Sequence, residues 1–155
     1  MKKTVLIIMI IYYSFIIWSF SAQPAVESAG ESRNITGFLY DKIAVHIKMF
    51  GSMGKAAFIS TADKFVRKCA HFALYFVFSL IIYAYVNCFE RNDLITILLV
   101  FLVGVIFAVS DEIHQLFVEG RGGQLRDVLI DSSGIMLGGG LSSCIKNIIR
   151  RSVCR

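Results

Sequence analysis

The sequence predicts an all-α integral membrane protein: about four transmembrane helices plus an interfacial amphipathic helix, in a single membrane domain over residues 1–155. Three observations carry this. The chain is 56% hydrophobic, and its apolar residues arrive in long blocks instead of the short periodic runs of a soluble domain. Each block is close to the roughly 20 residues that cross a bilayer. Charged residues make up only 17% of the chain and gather between the blocks.

The first span, 4–22, follows Lys2 and Lys3. Ser19 and Ser21 would suit a signal-peptidase site, but the apolar run exceeds the roughly 7–15 residues of a signal h-region, so a retained helix is expected. The extracytoplasmic segment 23–67 opens polar (QPAVESAGESRN) and then places Leu39, Ile43, Ile47 and Phe50 at helical spacing. Asp41, Lys42 and Lys48 lie off that line, the pattern of a helix lying in the interface. Gly51 and Gly54 punctuate it. Spans at 69–89 and 94–110 are separated by only Glu90-Arg91-Asn92-Asp93, which predicts a tight antiparallel hairpin. A polar loop, DEIHQLFVEGRGGQLRD, leads to the fourth span at 128–149, whose Gly134, Gly138 and Gly139 form a small-residue surface for close helix packing.

The net charge of +5 does not point to nucleic acid, because the basic residues flank apolar spans and form no stripe or binding motif. Lys2 and Lys3, Arg91, and the cluster Lys146, Arg150, Arg151 and Arg155 fall on one side of a four-span topology. The positive-inside rule therefore places both termini in the cytoplasm. The cysteines Cys69, Cys88, Cys144 and Cys154 lack C-x-x-C spacing, so neither a disulfide framework nor a zinc site is expected.

That topology gathers ionisable residues at the outer interface. The second span contributes Arg67, Lys68, His71 and Tyr75. The end of the third contributes Asp111, Glu112, His114 and Gln115. The start of the fourth contributes Arg126, Asp127 and Asp131, and the loop adds Glu119 and Arg121. His71 and Tyr75 are one turn apart, Asp127 and Asp131 share the glycine face, and Asp111, His114 and Gln115 share a face if the third helix continues through them. Charges in a span cost about 2.5–3.5 kcal/mol on insertion scales, so those retained tend to be paired and functional. The plainer alternatives are headgroup snorkelling by Arg67 and Lys68, and an Asp131 pair with Arg67, Arg121 or Arg126 that merely ties helices together. His46 is expected to be bland.

Phe20-Ser21-Ala22-Gln23-Pro24, Arg67-Lys68-Cys69-Ala70-His71-Phe72 with Tyr75, Asp111-Glu112-Ile113-His114-Gln115, Gly120-Arg121, Asp127 and Asp131-Ser132-Ser133-Gly134 together resemble the VanZ-like family, in order and spacing from Ser21 to about Gly138. One departure is Glu119, where many members carry proline. The resemblance implies a bacterial cell-envelope protein associated with resistance to teicoplanin, a lipid-tailed glycopeptide, without supplying a mechanism.

Three readings are ranked in order. The first is a binding module for a lipid-anchored or lipid-tailed ligand, such as a lipoglycopeptide or a cell-wall lipid precursor, held by Arg67, Lys68, Tyr75, Gln115, Arg121, Arg126 and Asp131. The second is an enzyme acting on a lipid headgroup or wall precursor, with His71, Asp111, Glu112, His114 and Asp127 as acid–base groups. The third is a lipid transporter, for which four helices are few and no inverted repeat is evident. No cofactor is expected. The alternative is a divalent metal on His71, His114 and the carboxylates, which carry suitable donor types without an H-E-x-x-H pattern. Membrane lipids are the expected partners, with a second copy of the chain as a further candidate.

Overall fold

The computed structural model describes residues 2–44, 55–90 and 92–153, and these form five α-helices with no strand among the described residues. They are α1 (Lys2–Ser21), α2 (Ala25–Ala44), α3 (Lys55–Val86), α4 (Asp93–Gln115) and α5 (Leu125–Val153). Four are long and apolar enough to cross a membrane: Lys2–Ser21, Ala62–Val86, Asp93–Gln115 and Leu125–Ser152.

α3 is the centre of the assembly, in contact with each of the other helices, and α5 and α4 pack together beside it. Two glycines allow the α3–α5 approach. A Cβ on Gly134 would stand 2.5 Å from the Phe72 carbonyl oxygen, and one on Gly138 would stand 2.6 Å from that of Phe76. Ordinary side chains do not fit there, so these positions set the helix separation. α4 presents a single buried stripe, Thr96, Val100, Gly104, Ala108, Asp111, Glu112 and Gln115, in which Gly104 accommodates Ile135 of α5. Aromatic rings fill the junction of α1, α3 and α4. Phe78 packs on Phe107 with centroids 4.9 Å apart, and Tyr13 stacks on Phe78 at 6.1 Å.

Two helices run beyond the predicted spans. α4 continues through Asp111-Glu112-Ile113-His114-Gln115, which are helical and not part of the loop. α3 begins at Lys55, well before the span expected from residue 69. Its early part pairs with α2, which is helical from Ala25 onward, including the stretch that reads as polar linker. The reason is packing. Ala25, Ala29, Ser32 and Thr36 recur at helical spacing, Ser32 and Thr36 are buried, and the Ser32 hydroxyl donates to the Asp63 carboxylate on α3. The larger Val26, Ile35 and Phe38 are exposed. Small residues face the partner because they permit close approach, which inverts the usual apolar-in pattern. The predicted apolar line of Ile47 and Phe50, together with His46, Lys48, Gly51 and Gly54, lies outside the described residues, as do Arg91, Cys154 and Arg155. The side chains of Leu39, Asp41 and Ile43 lie outside them as well.

The end of the bundle holding the α3–α4 turn is pinned by Lys146. Its Nζ donates to Asn87 Oδ1 at 2.7 Å and forms an ion pair with Asp93, joining α5 to the end of α3 and the start of α4. Asn92 caps α4, its side chain accepting from the Leu94 and Ile95 amides at 3.0 and 3.3 Å.

Candidate functional site

At the opposite end a cleft of about 660 Å³ opens between α2, the α3 approach, the end of α4, the α4–α5 loop and the start of α5. The loop forms its rim, and main-chain atoms hold it. The Ala25 amide donates to the Glu119 carbonyl at 3.2 Å, Arg121 Nη2 donates to the Phe20 carbonyl at 3.2 Å, and the Gln124 amide donates to Glu112 Oε2 at 2.8 Å. Gly120 sits at φ +73°, a conformation that suits glycine, and a Cβ on Gly123 would come within 2.8 Å of the Glu112 carbonyl. The glycines of the loop therefore let it fold tightly over the end of α4.

Most of the residues expected from sequence meet here. α3 supplies Arg67, Lys68 and His71, α4 supplies Glu112 and Gln115, the loop supplies Arg121, and α5 supplies Arg126, Asp127 and Asp131. Lys68 bonds Asp127 at 2.5 Å, which ties α3 to α5 at the cleft wall. Arg67 lies 3.8 Å from Asp63, one turn earlier on α3. Asp111 and Tyr75 are fully buried and do not line the cleft; Gln115 Nε2 donates to Asp111 Oδ2 at 3.3 Å. Burial, and then the neighbouring Arg67, pull the Arg121 guanidinium below its ordinary value, while Asp111 and Glu112 act in the opposite sense.

His114 is elsewhere. Its ring stacks on Trp18 of α1 at 5.1 Å and takes no part in the cleft. Asp131 has no basic partner: both of its carboxylate oxygens, fully buried, lack a hydrogen-bond partner. The same is true, among the described residues, of Glu112 Oε1, His71 Nδ1 and Arg121 Nε, whereas the Tyr75 hydroxyl donates to the Asp111 carboxylate. An unsatisfied buried polar group costs about 1–3 kcal/mol, and more when it is charged, so a cluster of such atoms at one end of a small bundle demands an explanation. Among the described residues no three His, Cys, Asp or Glu side chains come close enough together to hold a metal ion.

Arg33 on α2, and Asp63 and Lys64 on α3, line the cleft and were not among the expected residues. The signal was present: Lys64, Arg67, Lys68, His71 and Tyr75 follow one helical face. It could be read only by extending α3 upstream into a stretch that lacks apolar periodicity.

A family model, VanZ/LLP1, matches residues 4–147. No curated protein and no solved structure matches the chain.

Proposed function

The chain belongs to the VanZ/LLP1 family, and from that premise we propose that its cleft lies at the outer face of a bacterial membrane and binds the head of a lipid-anchored or lipid-tailed ligand. The observation that carries this reading is the cationic rim. Arg33, Lys64 and Arg126 line the cleft and have no carboxylate partner among the described residues. Such groups are arranged to receive a phosphate or carboxylate from outside the protein. The cleft volume falls within the range of about 300–1,000 Å³ that suits small-molecule sites. Within the family's association with teicoplanin resistance, the ligand would be the lipid-tailed glycopeptide or the lipid-borne wall precursor it attacks.

Membrane helices support the envelope location, and the basic residues Lys2, Lys3, Arg150 and Arg151 support termini in the cytoplasm. A cysteine introduced at Gly122 should react with an impermeant reagent added outside intact cells, whereas one introduced at Asn92 should not. The reverse pattern would move the cleft to the cytoplasm and end the outer-face reading.

Binding itself is tested on the purified chain in detergent by native mass spectrometry. Phospholipids should be retained in preference to uncharged diacylglycerol, and Lys64→Gln/Arg126→Gln should lose that preference. Equal retention of both lipid types by the wild-type chain would sink the proposal. Enzymatic action on the same head is the second reading, favoured by His71 Nδ1, which is unpartnered in a residue that lines the cleft beside Asp131. Conversion of the bound lipid, detected as a mass change that His71→Ala abolishes, would distinguish it.

A further inference from the structure

The cleft has two layers of opposite charge. Cations occupy the rim. Beneath it, on α5, Asp131 lies one helical turn below Asp127, and from α4 Glu112 lines the same cleft with Asp111 fully buried behind it. Among the described residues three carboxylate oxygens in this floor accept nothing, both of Asp131 and one of Glu112, while Asp111 has Gln115 and the Tyr75 hydroxyl. The neighbouring donors do not meet the demand. Lys68 is committed to Asp127, and Arg121 spends Nη2 on the Phe20 carbonyl, keeps Nε buried without a partner and forms no ion pair among the described residues. The Tyr75 hydroxyl carries a single proton. The carboxylates are also too dispersed for a metal ion. What the floor lacks is a compact cation with several N–H donors, and a primary ammonium with its three donors has that description.

We propose that the cleft recognises a zwitterionic head, with its phosphate among the rim cations and its ammonium on the Asp131–Glu112 floor. On α5 the rim cation Arg126 stands five residues before Asp131, about 7.5 Å along the helix axis, a span that the two side chains narrow to the scale of a phosphate and an ammonium joined through a short carbon linker. A neutral hydroxylated head would offer hydrogen bonds alone, whereas an ammonium offers them and also stabilises the ionised form of the buried carboxyls. The inference rests on the headgroup reading above and specifies its ligand class. Asp131 carries it: the residue is fully buried, faces the cleft and has two unpartnered oxygens.

The experiment compares three short-chain lipids on the purified full-length chain in detergent: phosphatidylethanolamine, its N-acetylated derivative and phosphatidylglycerol, with diacylglycerol as the uncharged control. Phosphatidylethanolamine should bind at least about tenfold more tightly than the other two phospholipids, the effect expected for charge-assisted hydrogen bonds in a buried site. Asp131→Asn and Glu112→Gln should each shrink that preference, because both remove a carboxylate that the ammonium needs. Competition by soluble glycerophosphoethanolamine would confirm the zwitterionic chemistry with the tail dispensable, and competition by the intact lipid alone would confirm it with the tail required. Equal binding of all three phospholipids, above diacylglycerol, would overturn the zwitterion inference and leave the headgroup reading standing. No binding above diacylglycerol would overturn both. Should Asp131→Asn fail to accumulate, Glu112→Gln and the acetylated lipid on the wild-type chain still decide.

Discussion

The two ends of the bundle treat charge differently. At the Lys146 end the charges are paired: Lys146 serves Asp93 and Asn87, Asn92 caps α4, and Lys3 lies 3.8 Å over the Phe89 ring, with the neutral Tyr83 hydroxyl the buried atom left without a partner among the described residues there. At the cleft end two carboxylates, an imidazole and the Arg121 guanidinium have atoms with no partner among the described residues, and Arg33, Lys64 and Arg126 have no counter-ion among them. Both ends are built on the same helices, so composition does not explain the contrast. One end satisfies its own groups, and on the reading proposed above the other keeps groups in reserve for a lipid head. Sites that must bind or react are where proteins tolerate unsatisfied groups and perturbed charges.

The largest effect is expected where both ends share their support. Gly134→Leu would force α3 from α5, and overpacking of this kind costs about 1–3 kcal/mol or more, so little folded protein should survive detergent extraction on fluorescence-detected chromatography. Normal recovery would mean the seam is not the common support.

Next come two substitutions predicted to have opposite signs. Asp131→Asn, with a neutral amide in place of an uncompensated buried carboxylate, should raise apo stability by about 1–3 kcal/mol in a thermal-shift or denaturant titration. Lys146→Met should lower the melting temperature and leave lipid binding intact. If both destabilise, Asp131 is a structural pair like Lys146, and the contrast between the two ends collapses.

Smallest of all, His114→Phe should change neither binding nor stability appreciably, because an aromatic ring persists against Trp18. Loss of ligand binding in that variant would return His114 to the site and redraw its boundary.

Much of this architecture was legible in sequence because span length and hydropathy are local properties. The four spans, the short turn before Asn92 and the glycine face of α5 all follow from spacing alone. The extent of α3 and the helicity of α2 did not. They depend on Ser32 meeting Asp63 across 31 residues, through small side chains that carry no apolar signal. The cleft residues were found by asking which charges share a membrane depth, but depth does not give direction. At 100° per residue, His114 lies about 100° from the middle of the buried α4 stripe, near enough for a shared face to look plausible and far enough to turn the ring toward α1. The absence of a partner for Asp131 was likewise beyond sequence, since Arg67, Arg121 and Arg126 all stood within reach on paper.

The contacts that close the rim also impose an order of assembly. Arg121 finds the Phe20 carbonyl across 101 residues, and Lys68 finds Asp127 across 59. A chain emerging from its N-terminus must therefore place α1, α2 and α3 before any of their rim partners have been synthesised. During that interval Lys68 has no Asp127, and the junction at Phe20 has no loop to hold it. The cleft is thus completed only when the start of α5 enters beside α3, and a chain stopped before Leu125 would contain every cationic residue of the α3 wall and lack Arg126, Asp127 and Asp131.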